Sequence, residues 1–173
     1  TTTTTTTTAS GGSQTSVTQP INVTQPIKIM ALGDSITDGY NIDGAYRQYL
    51  YKELITTYGY KTESGASLID MVGTKGWSGD KDYDDDNEGY SGYAIKAYSV
   101  QNRSGLYETI VENNTISTNK PDIILLMIGT NDVLDNQMGT VDGGTENIKE
   151  RLQSLVDYIY DQYDNSDDLT LFI

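Results

Sequence analysis

Ile27-Lys-Ile-Met-Ala-Leu-Gly-Asp-Ser-Ile-Thr-Asp-Gly39 decides the fold. The first six residues are apolar but for Lys28, the pattern of a strand buried on both faces. The strand runs straight into Gly33-Asp34-Ser35. Open α/β folds place their ligands at the carboxyl edge of the sheet, so this turn displays a serine hydroxyl where chemistry is done. Ser35 becomes a covalent nucleophile if a base lies beside it. Asp34 and Asp38 can hold the turn by accepting backbone N–H bonds, and a turn that only caps a short helix would look the same.

Strand and helix patterns alternate outward from that stretch. Gly44–Tyr58 places Tyr46, Tyr49, Leu50, Leu54 and Tyr58 at helical spacing, and Ser67–Val72 reads as a second strand. The Gly- and Asp-rich run 74–90 predicts a loop. Short helices are expected over Tyr93–Gln101 and Gly105–Asn113. Pro121 opens a buried strand, Asp122–Ile128, that ends in Gly129-Thr-Asn-Asp132. Thr145–Tyr163 predicts a long helix with Ile148, Leu152, Leu155, Val156 and Ile159 on one face, and Leu169–Ile173 a fourth strand. Such alternation implies a parallel sheet covered on both faces. Residues 1–26 differ: eight threonines, Ala-Ser-Gly-Gly-Ser and a doubled Val-Thr-Gln-Pro cannot bury a core and read as an extended linker, leaving 27–173 as the folded domain.

Composition narrows the partners. The net charge of −14 argues against nucleic acid and against an anionic membrane surface. No apolar run approaches membrane-spanning length. There is no cysteine, which excludes disulfides and thiolate metal sites. Fourteen tyrosines stand against one Phe and one Trp, a balance that suits a wet, sugar-binding surface. Asp80, Asp82 and Asp84 match the first ligand spacings of a calcium loop, but Asp85 stands where its glycine is needed and Ser91 where its final glutamate is needed. The acidic run 80–88 therefore reads as a solvated loop, with Lys81 and Lys96 neutralising part of it, and no metal or other cofactor is expected. Trp77, in the glycine-rich stretch before it, is placed to stack on a sugar ring or to anchor the loop.

Three blocks resemble the signatures of the SGNH (GDSL) hydrolases. Gly33-Asp-Ser-Ile-Thr-Asp-Gly39 resembles the first, Glu88-Gly-Tyr-Ser-Gly92 the second, and the strand ending in Gly-Thr-Asn-Asp132 the third. The first two together are most similar to the family 3 carbohydrate esterases, the acetylxylan esterases. The resemblance implies a three-layer doubly wound sheet in flavodoxin-like order. It implies Ser35 as nucleophile and an oxyanion hole of the Ser35 N–H, a glycine N–H and the Asn131 side chain. That glycine is Gly92 by its place after Ser91, with Gly89 the runner-up. The implied protein is a secreted esterase acting on acylated polysaccharide, joined through its linker to another module. A lipase or thioesterase is the rival enzyme, disfavoured because no apolar lid is evident.

The family's general base lies in a final Asp-x-x-His block after a fifth strand. This sequence contains no histidine at all. The expectation is of a chain that ends before the last strand and helix and is inactive alone, or of a non-catalytic module that keeps the pocket and binds glycans.

Overall fold

The computed structural model describes residues 25–76 and 81–173. Its centre is the stretch that opened the sequence reading. β1 (Ile27–Gly33) is buried from Ile29 onward. It pairs in parallel with β2 (Ile69–Met71) on one side and β4 (Ile123–Met127) on the other. The short β3 (Glu88–Gly89) pairs with the carboxyl end of β1, and β5 (Thr170–Phe172) lies beyond β4. The order β2-β1-β4-β5 is the flavodoxin-like order expected. Every named pairing is parallel, so the carboxyl ends of β1, β3 and β4 face one edge.

Alternate residues of β1 divide the core in two. Met30 and Leu32 pack with Ile124, Leu126, Ile110, Leu155 and Ile159, under α3 (Leu106–Glu112), α4 (Thr115–Asn119) and α6 (Ile148–Tyr160). Ile29 and Ala31 pack with Ile69 and Met71 under α2 (Ala45–Thr56). The sheet is thus covered on both faces, in three layers. α6 starts one residue after Asn147, whose side chain accepts from the Lys149 and Glu150 amides while the Glu150 side chain accepts from the Asn147 N–H. That reciprocal cap fixes the helix start three residues later than apolar spacing suggested.

Three local expectations need correction. Residues 93–99 are not helical; Ala94 and Tyr98 instead make bridges to Gly105 and Arg103, so the segment's backbone bonds go to its neighbour downstream. In α2 the face turned to the core carries Tyr46, Tyr51, Leu54 and Ile55, whereas Tyr49 and Tyr58 are exposed. The helix is rotated because Arg47 is buried in it and donates to the Thr37 and Asp38 carbonyls and to Asp85. Lys96 does not serve the acidic run; it pairs with Glu146 at 2.6 Å. Lys81 does serve it, bonding Asp43 and Asp85. Trp77, Asp80 and most of the linker lie outside the described residues.

Candidate active site

The turn that carries Ser35 is built by capping. Asp34 ends β1 and is fully buried; its Oδ1 accepts from the Ile36 N–H at 3.0 Å and starts the single-turn helix α1 (Ser35–Asp38). The Asp34 amide donates to the Met127 carbonyl at 3.2 Å, which ties the turn to the end of β4. Ser35 is half-buried at the first position of α1, where a helix leaves its N–H groups unsatisfied. Among the described residues its amide donates to no protein acceptor and its hydroxyl has no side-chain partner.

Asp38 does something other than cap. Among the described residues no backbone N–H reaches its carboxylate; Lys75 Nζ and Ser91 Oγ do, at 2.9 and 2.5 Å. The reason is its place in the last turn of α1, where the free backbone groups are carbonyls. Burial pushes the Asp38 carboxyl up, but the bonds from Ser91 and Lys75 outweigh it and hold it below the ordinary value. The result is a tether from α1 to the loop holding Gly92.

That loop is fixed at several points. Tyr90 N–H donates to the Gly33 carbonyl at 2.8 Å and Tyr93 N–H to the Tyr90 carbonyl at 3.1 Å. The Tyr90 and Tyr93 rings stack at 4.9 Å, with Lys75 over Tyr90. Gly92 sits at φ +83, in the left-handed region that favours glycine. Its amide has no protein acceptor among the described residues. The Gly89 amide, by contrast, is committed to Asn87 Oδ1 at 2.9 Å. Gly89 is required for another reason: a Cβ there would lie 2.2 Å from the Asp38 backbone nitrogen.

Asn131 lies in the first turn of α5 (Thr130–Leu134), four residues beyond β4. It is buried, and its Nδ2 donates to the Tyr93 carbonyl at 2.7 Å. A primary amide has two N–H groups. One is spent on orienting the side chain against the residue after Gly92; the second remains for a ligand. The next residue, Asp132, is fully buried; Oδ2 accepts from the Ile95 N–H and Oδ1 pairs with buried Arg151 at 3.1 Å.

Two features follow from this arrangement. Uncommitted N–H groups of Ser35, Gly92 and Asn131 come from loops after β1, β3 and β4, three strands adjacent at one sheet edge. Donors so placed can stabilise charge on a carbonyl oxygen attacked by a nearby hydroxyl. Several described carboxylates of the acidic run have partners within the protein: Asp85 pairs with Arg47 and Lys81, Asp82 with Lys52, and Asp84 accepts from the Met71 amide. Among the described residues no group of three or more potential ligands could hold a metal ion. Nor, among those residues, is any helix long and apolar enough to cross a membrane.

Residues 29–171 match the family model described as GDSL-like lipase/acylhydrolase. The chain belongs to that family. A multidomain esterase of Ruminococcus flavefaciens is 40% identical over 144 residues, covering 77% of this chain and 17% of that protein. A family 3 carbohydrate esterase of Clostridium thermocellum is 33% identical with a TM-score of 0.55, over 86% of this chain and 60% of its own. An acetyl esterase mutant solved with acetate ion is 26% identical with a TM-score of 0.50, over 79% and 56%. The chain therefore spans under a fifth of that curated relative and about three fifths of the carbohydrate esterase.

Several supporting residues escaped the sequence reading: Tyr93, Lys75, Arg103, Asp135 and Arg151. Only Arg151 carried a legible signal. It stands three residues after Ile148 and four before Leu155, on the apolar stripe of its helix. A cation there needs a buried anion.

Proposed function

We propose that this GDSL-family chain carries the nucleophile and the oxyanion hole of a serine carbohydrate esterase that removes acetyl groups from a plant cell-wall polysaccharide such as acetylated xylan. The observation that carries the reading is the Asn131 amide, anchored on Tyr93 beside a free Gly92 N–H. Ser35 Oγ attacks the ester carbonyl and loses its proton to a base. The developing oxyanion takes hydrogen bonds from Ser35, Gly92 and Asn131. The sugar hydroxyl then leaves, and water releases acetate from the acyl-serine. With no histidine among the 173 residues, the base is assigned to a histidine outside them. Asp38, whose carboxyl Ser91 and Lys75 hold below the ordinary value against the opposing effect of burial, is too weak a base for this step.

Acetylated polysaccharide is favoured by the carbohydrate and acetyl esterases among the structural relatives and by the threonine-rich linker. We take the linker to join this unit to another module of a secreted protein. Exposed Ile36 on α1 and exposed Val133 and Leu134 on α5 favour a second reading, with longer acyl groups.

The test compares Ser35→Ala with the unaltered serine in a polypeptide that joins these residues to a histidine base. Acetate release from acetylated xylan should vanish in the variant, and near-normal turnover would remove the nucleophile assignment. Aryl acetate cleaved faster than the butyrate or octanoate would support the acetyl reading over the longer-chain one. The 173-residue chain alone should show only a trace, since an oxyanion hole without its triad retains roughly 10³–10⁴-fold over water. Binding of acetylated xylo-oligosaccharide without turnover, even with a histidine supplied, would make this a non-catalytic glycan module.

A further inference from the structure

The turn from Tyr98 to Arg103 has no role in the chemistry described so far. Its ends are joined by two backbone bonds, Tyr98 N to Arg103 O at 3.1 Å and Arg103 N to Tyr98 O at 3.0 Å. Gln101 and Asn102, at φ 54 and 51, both occupy the left-handed region, which side chains beyond glycine enter at a cost. Such strain persists only where surrounding contacts enforce it.

Those contacts converge on the oxyanion donors. Arg103 forks onto Asp135, Nε to Oδ2 at 2.7 Å and Nη2 to Oδ1 at 3.1 Å. Its remaining nitrogen, Nη1, donates to the Gly92 carbonyl at 3.1 Å. Asp135 caps α5, four residues after Asn131. From the other end of the turn, the Tyr98 hydroxyl lies 3.2 Å from the Asn131 carbonyl and 3.1 Å from Asp135 Oδ2. The Gly92 loop and the Asn131 helix are thus joined twice, through Arg103–Asp135 at their outer side and through Asn131–Tyr93 at their inner side. Arg103 is 23% exposed and Asp135 9%, so the pair is largely shielded from water. The guanidinium serves three acceptors in one fixed plane.

We propose that Arg103 and Asp135 are positioning residues that set the relative placement of two of the three oxyanion donors, Gly92 N–H and Asn131 Nδ2. Ser35 N–H is set by Asp34 and β1, and among the described residues neither Arg103 nor Asp135 bonds to that turn. The proposal rests on the esterase reading for its purpose, though not for its geometry.

The geometry is testable in the 173-residue chain by 15N-resolved NMR, without turnover. Arg103→Ala should shift and broaden the Gly92 backbone amide and the Asn131 side-chain amide together, and leave the Ser35 amide within its original line width. Asp135→Asn should do the same, and Arg103→Lys should restore at most one of the two signals, because an ammonium cannot keep the fork and the Gly92 contact together. Should Arg103→Ala fail to fold, the other two variants give the same reading. Unchanged Gly92 and Asn131 signals, or a Ser35 shift as large as theirs, would overturn the proposal. In a base-containing polypeptide the same variants should lower kcat about tenfold to a hundredfold with KM within about twofold. A change confined to KM would also overturn it. Ser35→Ala, which tests the esterase reading, should leave both amide signals in place, so the two ideas fail separately.

Discussion

Replacing Arg151 by methionine should destabilise the fold far more than an ordinary helix substitution. The side chain is 1% exposed and its partner Asp132 0%. Arg151 makes one bond to Asp132 Oδ1 at 3.1 Å, and others to the carbonyls of Gln137, Gly139 and Glu146. Gly139 is exposed and the other two residues are half-buried, so water can replace the arginine at those carbonyls at small cost. Water does not so readily reach Asp132. Among the described residues its carboxylate would keep only the Ile95 N–H, at 3.0 Å. Removing one partner of a buried pair costs about 3–5 kcal/mol because the other charge is stranded. At about 2–4 °C per kcal/mol for a chain of this size, Tm should fall by roughly 6–20 °C. Adding Asp132→Asn removes the stranded charge and leaves only an under-bonded amide, a cost of about 1–3 kcal/mol. The double variant should therefore be more stable than Arg151→Met alone. Urea unfolding followed by far-UV circular dichroism, with the single and double variants in one cycle, measures both quantities. A loss below about 1 kcal/mol for Arg151→Met, or a double variant no better than the single, would refute the reasoning.

Asn131→Ala, in a polypeptide with its base, should lower kcat by about 10²–10³ with a smaller effect on KM; a change in KM alone would assign the amide to substrate binding. Gly89→Ala would place a Cβ 2.2 Å from the Asp38 nitrogen, which is backbone and cannot swing away. It should cost about 1–3 kcal/mol and displace α1 together with Ser35, and wild-type melting and turnover would count against the close approach. Acid should destabilise the fold through Asp38, Asp135 and Glu146. Burial opposes ionisation of Asp38, but Ser91 and Lys75 hold its carboxyl below the usual range; hydrogen bonds from Arg103 do so for Asp135 and from Lys96 for Glu146. A depressed folded value means stability that is present above the unfolded value of about 4 and lost as pH falls below it. Melting temperatures from pH 5 to 2.5 should fall through that window, less steeply in Asp38→Asn; a rise in Tm would contradict the assignment.

The parts of this fold that the sequence declared are those where one residue type has one use. The apolar runs within Ile27–Leu32 and Asp122–Ile128 read as central strands, and the structure makes them β1 and β4, paired over five residues. The family blocks were legible because each combines a strand end with residues of special chemistry. The 93–99 segment was misread as helix because Tyr93, Ala94, Ile95 and Tyr98 are compatible with helical spacing. Nothing local reveals that Ile95 N–H is claimed by Asp132, or that Ala94 and Tyr98 pair downstream. The rotation of α2 has the same origin. Apolar spacing cannot register that Arg47, between Tyr46 and Gln48, is buried while Tyr49 is exposed, because Arg47 reaches three carbonyls and a carboxylate. The supports of the site are long-range polar contacts, Asp38 to Ser91 across 53 residues and Arg103 to Asp135 across 32. Polar partners that far apart leave no period and no spacing to read.

The manner in which the three donors are held bears on how the chemistry is divided. Asp34 and the end of β4 hold the Ser35 turn, Asp38 through Ser91 and Arg103 through the Gly92 carbonyl hold the second loop, and Tyr93 holds the Asn131 amide. Each support comes from within these 173 residues and none needs a histidine. Oxyanion stabilisation depends on dipoles that are already oriented when charge develops. Proton removal depends on one group of suitable pKa within hydrogen-bond reach of Ser35. On the proposed esterase reading the first requirement is met at the folded sheet edge, and the second can be supplied by another group without rebuilding the first. Supplying a base should therefore change kcat by orders of magnitude while leaving the donor geometry, and the amide signals that report it, where they already are.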